Sequence, residues 1–135
     1  MNIVIANSVG VDTNGYHMVH VPSRWSLGVK NHTNCSYYPW ELAYTSSLLK
    51  RETNHKVKFL DGVLNAWDFD TYIQRLREEK PNWLVMESST RTIREDLRLA
   101  EAIKKELKTK VIMTGQHPMA SPEEVLKVAD FVCIG

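Results

Sequence analysis

The chain has 135 residues and a net charge of +1, and its hydrophobic fraction of 43% is enough to build the core of one domain, residues 1–135. The near balance of 17 basic and 16 acidic residues gives no sign of a nucleic-acid partner. No apolar stretch approaches the roughly 20 residues of a membrane span, so we expect a cytoplasmic protein without a membrane partner. Cys35 and Cys133 match no metal-ligand spacing, and we expect free thiols, with a disulfide as the less favoured alternative.

The first predicted element is a short apolar strand over Ile3–Ala6. The segment between Asn7 and Tyr38 that follows shows no helical or strand period, so the sequence predicts a long loop there. Loops longer than roughly 12–15 residues are uncommon in compact domains and are usually functional or disordered. We therefore expect this loop to lie against a ligand.

Strands and helices alternate through the rest of the chain. Two helices are indicated by apolar residues that recur on one face, and proline or serine marks the start of the other two. The predicted elements are a helix from Pro39 to about Arg51, a strand at Lys56–Leu60, a helix with Phe69, Tyr72, Ile73 and Leu76 on its buried face, a strand at Trp83–Met86, a helix with Ile93, Leu97, Ala100, Ile103 and Leu107 on its buried face, a strand at Lys110–Thr114, a helix that begins at Ser121-Pro122-Glu123-Glu124, and a strand at Phe131–Gly135.

This alternation predicts an α/β fold, because each helix serves as a crossover between parallel strands. We expect a Rossmann-like (flavodoxin-like) three-layer structure with a parallel five-stranded sheet in the order 2-1-3-4-5. No closing helix follows the last strand, and we expect the chain to be one end of a longer polypeptide.

Small and polar residues follow each strand at the edge where such a sheet binds its ligand. Ser88, Ser89 and Thr90 carry hydroxyl groups for an amide or a phosphate, and Gly115 leaves room for a flat ligand. The alternatives are that these are turn or capping residues and that His117 is a turn histidine. The predicted strand exits are Asn7-Ser8, Asp61-Gly62, Glu87-Ser88-Ser89-Thr90, Gly115-Gln116 and Gly135.

Several well-known chemistries lack their motifs in this chain. There is no Gly-x-Gly-x-x-Gly, no Walker-type Gly-Lys-Ser/Thr and no Gly-x-Ser-x-Gly. The side chains at the exits do not form an acid–base set. The sequence therefore favours binding of a bulky ligand over catalysis, and we assign no catalytic residue and no metal ligand.

The order of the motifs resembles the N-terminal cobalamin-binding domain of cobalamin-dependent radical S-adenosylmethionine enzymes. The resemblance covers nearly the whole chain except Ser8–Tyr37. The matching pieces are Tyr38-Pro39-Trp40-Glu41-Leu42-Ala43-Tyr44, Val57-Lys58-Phe59-Leu60-Asp61, Ser88-Ser89-Thr90, Thr114-Gly115-Gln116-His117-Pro118, Pro122-Glu123-Glu124-Val125-Leu126, and Asp130-Phe131-Val132-Cys133-Ile134-Gly135.

The resemblance implies that cobalamin lies over the strand ends, with its nucleotide tail in a groove beside the sheet. It implies no histidine below the cobalt, because the Asp-x-His-x-x-Gly motif of methionine synthase is absent here. Gly115-Gln116 also departs from the more usual Gly-Gly. The implied cofactor-binding residues are Asn7, Ser8 and Val9 below the corrin ring, Ser88, Ser89, Thr90, Gly115 and Gln116 along the tail, and Tyr38, Asp61, Glu87, His117 and Gly135 around them.

The resemblance also implies a partner in cis, a radical S-adenosylmethionine barrel that carries S-adenosylmethionine and a 4Fe-4S cluster. The Cys-x-x-x-Cys-x-x-Cys motif of that barrel is absent from these residues, so the chain alone is not expected to be catalytic. The parent enzyme would be a methyltransferase. The alternatives are a stand-alone flavodoxin-like domain that binds a nucleotide or FMN, and a domain that only docks a partner.

Overall fold

The computed structural model describes residues 1–9, 17–21, 25–29 and 38–134. Its helices and strands follow one another in the alternating order expected from the sequence, with one additional hairpin. The elements are β1 (Asn2–Ala6), β2 (His17–Val21), β3 (Trp25–Val29), α1 (Trp40–Glu52), β4 (Lys56–Leu60), α2 (Phe69–Glu79), β5 (Trp83–Glu87), α3 (Ile93–Leu107), β6 (Lys110–Thr114), α4 (Gln116–Ala120), α5 (Pro122–Val125) and β7 (Phe131–Val132).

Five of the strands form one parallel sheet in the order β4-β1-β5-β6-β7. Numbered without the hairpin, this is the order 2-1-3-4-5, so the predicted flavodoxin-like sheet is confirmed. β1 is an interior strand: Ile5 pairs with Phe59 of β4 on one side and with Val85 of β5 on the other. An apolar run such as Ile3-Val4-Ile5-Ala6 suits this place, because a parallel strand covered on both faces needs apolar side chains in both directions.

Two apolar clusters cover the two faces of the sheet. The larger one joins α2, α3 and α5 to one face and includes Tyr72, Leu84, Ile103 and Met113. The smaller one joins Leu42 of α1 to the other face. The buried faces expected of α2 and α3 are confirmed, since most of the residues expected there are buried in the larger cluster, and Phe69, Leu97 and Leu107 are partly buried and pack against it.

The prediction of an uninterrupted loop between Asn7 and Tyr38 is wrong. β2 and β3 pair in antiparallel register, with Val19 opposite Leu27, as a separate two-stranded sheet. The sequence analysis missed this hairpin because each strand has only five residues and histidine, serine and glycine interrupt its apolar residues. Residues 10–16, 22–24 and 30–37 of the segment lie outside the described residues.

Several predicted boundaries also need correction. Gln116–Ala120, expected to be a loop, forms the short helix α4, because Pro118 lies in its first turn, where no backbone donor is needed. The last strand covers only Phe131–Val132, and Gly135 lies outside the described residues.

At three further positions, the structure differs only slightly from the predicted boundary or cap of a helix or strand. Glu87 is the last residue of β5 and does not belong to the loop after it. Pro39 precedes the first residue of α1. Ser121 occupies the N-cap position of α5, but its side chain makes no capping hydrogen bond.

Candidate ligand-binding edge

The exits of the parallel strands meet at one edge, which we call the carboxyl edge. β1 connects onward to α1 on one face of the sheet, and β5 connects to α3 on the opposite face. The strand order reverses between these two neighbours, so the crevice between their exits is where an open parallel sheet binds its ligand. Residues at the carboxyl edge form two hydrogen-bond networks, one on each side of β1.

The first network surrounds Asp96, a fully buried residue of α3. Its carboxylate accepts hydrogen bonds from Ser8 Oγ at 2.9 and 3.0 Å, from Val9 N at 2.9 Å and from Ser88 Oγ at 2.6 Å. Ser8 and Val9 follow β1, and Ser88 follows β5. One carboxylate therefore joins the two strand exits that border the crevice, and we call these four residues the Asp96 network.

Burial raises the pKa of Asp96 to about 6, although hydrogen bonds from Ser88, Thr92, Val9 and Ser8 oppose this by favouring the charged form. The sequence analysis overlooked Asp96. A signal was present, because Asp96 lies three residues after Ile93 and four before Ala100, within the apolar stripe of α3. A carboxylate on a buried stripe must find donors, and here it finds them at the carboxyl edge.

The second network surrounds Tyr72 of α2 and lies between β1 and β4. The Tyr72 hydroxyl is 3.0 Å from the Asn7 carbonyl oxygen, 3.1 Å from Asn7 Oδ1 and 3.2 Å from the Leu60 carbonyl oxygen. Asn7 Nδ2 donates to Asp61 Oδ1 at 2.6 Å, and Gly62 N donates to Asn7 Oδ1 at 3.0 Å. We call these five residues the Tyr72 network; it joins the exits of β1 and β4.

The Tyr72 network is closely packed, and its phenol stays neutral at neutral pH. A Cβ atom at Gly62 would lie 2.1 Å from Cε2 of the Tyr72 ring, so only glycine leaves room for that ring. Burial, followed by the charges of Asp61 and Asp96, raises the pKa of Tyr72 well above its ordinary value. The hydroxyl therefore remains a neutral donor.

Gly115, after β6, has a backbone conformation that only glycine adopts readily, with φ of 103° and ψ of −174°. A Cβ atom there would lie 2.4 Å from the Ser88 carbonyl oxygen and 3.2 Å from Glu87 Cγ. The close approach of the β5 and β6 exits is therefore sufficient reason for glycine. The expectation that Gly115 makes room for a flat ligand stays a prediction.

His117 links the exits of β5 and β6 from the outer side. Its Nδ1 is 3.2 Å from Thr90 Oγ1, and its Nε2 is 3.2 Å from Glu124 Oε2. Thr90 is exposed, whereas only 12% of the His117 side chain is accessible. This hydroxyl–imidazole–carboxylate chain holds the start of α4 against the turn after β5.

Glu87 is the half-buried final residue of β5 and faces the same side of the sheet as α1. Burial, with the charges of Glu41 and Asp96 as further causes, raises its pKa to about 7. Glu41 lies in the first turn of α1, so the start of that helix lies near this edge. Tyr38, two residues before α1, is 69% exposed.

The predicted site residues fall into three groups by accessibility. The structure brings the exits of β1, β4, β5 and β6 to one edge, but the residues closest to the crevice floor are covered by protein. Asn7, Ser8, Val9, Ser88 and Ser89 are buried, Asp61, Glu87, Gly115, Gln116 and His117 are half-buried, and Tyr38 and Thr90 are exposed.

Residues 29–135 match the B12 binding domain family. The chain belongs to this family. Its membership supports cobalamin binding and agrees with the flavodoxin-like sheet. The match begins after β1, although β1 is an interior strand of the sheet, between β4 and β5. The chain matches no curated protein and no solved structure in the searches.

Two further observations concern the described part of the B12-binding domain. None of the helices found there combines the length and the apolar character needed to cross a membrane. Within the same residues, no group of three or more His, Cys, Asp or Glu side chains is arranged to hold a metal ion.

Proposed function

We propose that the chain holds cobalamin at the carboxyl edge, as the cobalamin-binding domain of a cytoplasmic radical S-adenosylmethionine methyltransferase. The observation that carries the cobalamin assignment is the family match over residues 29–135. The strand order supports the location, since the crevice between β1 and β5 is the switch point of the sheet. The methyltransferase context rests on the resemblance in motif order described above.

The accessible residues of the carboxyl edge fit the polar periphery of a corrinoid, which carries amide side chains. Thr90 is exposed, and Glu87 and Gln116 are half-buried, so each can offer a donor or an acceptor to an amide, whereas both ring nitrogens of His117 already contact Thr90 and Glu124. The hydroxyls of Ser8 and Ser88 already donate to Asp96. We therefore propose that the outer residues hold the cofactor directly and that the buried serines support the crevice beneath it.

A partly covered apolar strip on the α1 side of the sheet fits the flat base of the nucleotide tail. Val85 and Ile112 pair in register below Glu87 and Thr114, and all four are half-buried. Trp83 continues the strip, and its ring lies 5.8 Å from that of Phe131. We propose that the tail descends from the edge along this strip, where its aromatic base replaces water at apolar side chains.

Cobalamin would supply the cobalt chemistry of methyl transfer, and the residues of this chain would bind and orient it. Catalytic groups, S-adenosylmethionine and the 4Fe-4S cluster would belong to a barrel encoded in cis. The coding sequence beyond Gly135 tests this context directly. We expect a downstream Cys-x-x-x-Cys-x-x-Cys motif, and a stop codon immediately after Gly135 would contradict the proposal.

Cobalamin binding is tested with the purified chain and hydroxocobalamin. We expect corrin absorbance to comigrate with the protein on gel filtration, at one corrinoid per chain, and FMN to elute separately. Retention of FMN but not hydroxocobalamin would favour a flavodoxin-like domain, and retention of neither would overturn a small-molecule function.

A pair of tryptophan variants tests the location. Gln116→Trp places a bulky ring at the carboxyl edge, whereas Gln74→Trp places one on an exposed part of α2. We expect the first variant to lower hydroxocobalamin affinity at least tenfold and the second to bind as the unmodified chain does. Equal affinities for the two variants would move the site away from this edge.

A further inference from the structure

The carboxylate of Asp96, on α3, contacts residues on both sides of the crevice between the exits of β1 and β5. We propose that Asp96 is the positioning residue of the corrinoid site: its carboxylate fixes the two exits relative to each other, and ligand affinity depends on its charge. The inference rests on the proposed function for its ligand, but the contacts that carry it belong to the chain alone.

The chemistry of the network favours an ionised acceptor. Four groups stabilise the charged form of Asp96 by hydrogen bonding, namely the side chains of Ser88, Thr92 and Ser8 and the Val9 backbone N–H, and all of them are buried. A carboxylate offers about four acceptor sites, so it can satisfy all of them at once. An apolar residue in its place would leave them without this acceptor, which is costly for buried groups.

The network also determines what the serines can offer a ligand. Each hydroxyl has one hydrogen, and both Ser8 and Ser88 direct it at Asp96. Ser88 is 0% exposed and Ser8 is 1% exposed, so neither hydroxyl is accessible from the crevice. Their role is therefore to connect the two exits through Asp96.

Protonation changes this connection. The Ser88 hydroxyl contacts Oδ2 at 2.6 Å, whereas Val9 N contacts Oδ1 at 2.9 Å. A proton on Oδ2 reverses this bond, because Oδ2–H then donates to Ser88 Oγ and the Ser88 hydrogen must turn to another acceptor, while Val9 keeps its acceptor. The hydrogen bonds to Asp96 also lose their charge assistance and become weaker, so the two exits are held less firmly and we expect weaker ligand binding.

Two other titratable groups are influenced by the charge of Asp96 within the described residues. These are Tyr72 of α2, which stays neutral, and Glu87 at the end of β5. Since Glu87 titrates near the same pH range, the effect of Asp96 must be isolated by substitution and not read from the unmodified chain alone.

The first experiment needs no ligand and follows amide hydrogen exchange by NMR. In Asp96→Ala, we expect the Val9 amide to exchange at least tenfold faster and the Ile5 amide, in the middle of β1, to be unchanged. In Asp96→Asn, one side-chain oxygen remains, and Val9 should keep most of its protection. Unchanged Val9 exchange in the alanine variant, or equal acceleration at Val9 and Ile5, would overturn the positioning role.

The second experiment measures hydroxocobalamin affinity at pH 5.0 and pH 7.5. We expect the unmodified chain to bind at least threefold more tightly at pH 7.5, and Asp96→Asn to bind at both pH values as weakly as the unmodified chain does at pH 5.0. The matched control is Asp70→Asn, an exposed aspartate in the first turn of α2, which should behave as the unmodified chain. The ligand is the same throughout, so its own titration cancels between variants.

The outcomes separate this inference from the proposed function. If the unmodified chain binds hydroxocobalamin and Asp96→Asn matches it at both pH values, the role of Asp96 is overturned while cobalamin binding stands. If the unmodified chain does not bind, the proposed function fails, and the Val9 exchange result alone decides whether Asp96 fixes the two exits.

Discussion

The two sides of the carboxyl edge are held together by different chemistry. On the β5 side of β1, a carboxylate accepts hydrogen bonds from both strand exits. On the β4 side, the phenol of Tyr72 and the amide of Asn7 join the exits, and Asn7 also donates to the carboxylate of Asp61. Both networks begin at β1, but the pKa of Tyr72 is raised well above its ordinary value, so the phenol stays neutral, whereas the pKa of Asp96 is raised to about 6.

This difference indicates on which side of the carboxyl edge ligand binding can depend on pH. The Tyr72 network closes an ordinary pair of neighbouring strands, whereas the Asp96 network lies at the switch point, where the ligand is expected. A titratable group there can couple ligand binding to proton binding.

The largest loss of stability is expected from substitution of Gly115, on the crevice side of the carboxyl edge. Gly115→Ala would force a side chain into a backbone conformation that favours glycine and bring Cβ to 2.4 Å from the Ser88 carbonyl oxygen. Backbone strain and overpacking together should lower the free energy of unfolding by about 4 kcal/mol or more. Urea denaturation of the purified variant measures this loss.

Gly62→Ala is the matched substitution on the other side. Its φ is not positive, and its Cβ would meet a side-chain ring instead of a backbone, so we expect a smaller loss of about 1–3 kcal/mol. If Gly115→Ala were tolerated as well as Gly62→Ala, the close approach of the β5 and β6 exits would not be a strict requirement.

Much of the fold could be predicted because its pattern is local. The apolar period of α2 and α3 and the short apolar strands identify the α/β architecture, and the handedness of crossovers then limits the strand order. The hairpin of β2 and β3 could not be predicted in this way. Its strands have only five residues each, and the alternation of Trp25, Leu27 and Val29 in β3 is too short to identify a hairpin without the pairing partner in β2.

The site could be predicted only as a location. Parallel strands must bring their exits to one edge, so residues such as Asn7, Ser88 and Gly115 could be grouped from their positions after strands. Which of them face a ligand depends on partners distant in sequence. Ser88 and Asp96 are eight residues apart, but Ser8 and Asp96 are separated by 88, and no sequence period indicates that contact.

The pH dependence of stability is the next largest expected effect. Burial raises the pKa of Asp96 from 3.8 to about 6, so the folded chain binds this proton more tightly than the unfolded chain. The resulting stabilisation is complete below pH 3.8 and is lost as the pH rises through 6. We expect Asp96→Asn to remove up to about 3 kcal/mol of this change in unfolding free energy between pH 4 and pH 7.

Other carboxyl groups also contribute to the pH dependence of stability, and their contributions decide which slope the variants should show. Glu87, with a pKa near 7, contributes a loss of the same sign at higher pH, so part of the slope should remain in Asp96→Asn. The pKa of Asp130 is lowered to about 2, against the effect of its partial burial, by hydrogen bonds from Val111 and two lysines, so its contribution changes below this window. Asp70→Asn should keep the full slope. An identical slope in Asp96→Asn would show that Asp96 is already ionised at pH 4.

The smallest loss of stability is expected on the β4 side of the carboxyl edge. Tyr72→Phe removes one buried hydroxyl that has three oxygen atoms within 3.2 Å, and it leaves the ring packing against Gly62 intact. The loss in unfolding free energy should be about 1–2 kcal/mol, as for other buried hydrogen bonds. Tyr44→Phe, at a position 66% exposed on α1, is the control and should change stability by less than about 0.5 kcal/mol.

The decisive feature of Tyr72→Phe is that its effect should not depend on pH. The hydroxyl stays neutral because burial raises its pKa, so chemical denaturation at pH 5.0 and pH 7.5 should give the same loss. Asp96→Asn should give different values at these two pH values. A pH-dependent effect of Tyr72→Phe would mean that Tyr72 and Asp96 are electrostatically coupled across β1, and the edge would then respond to pH as one unit.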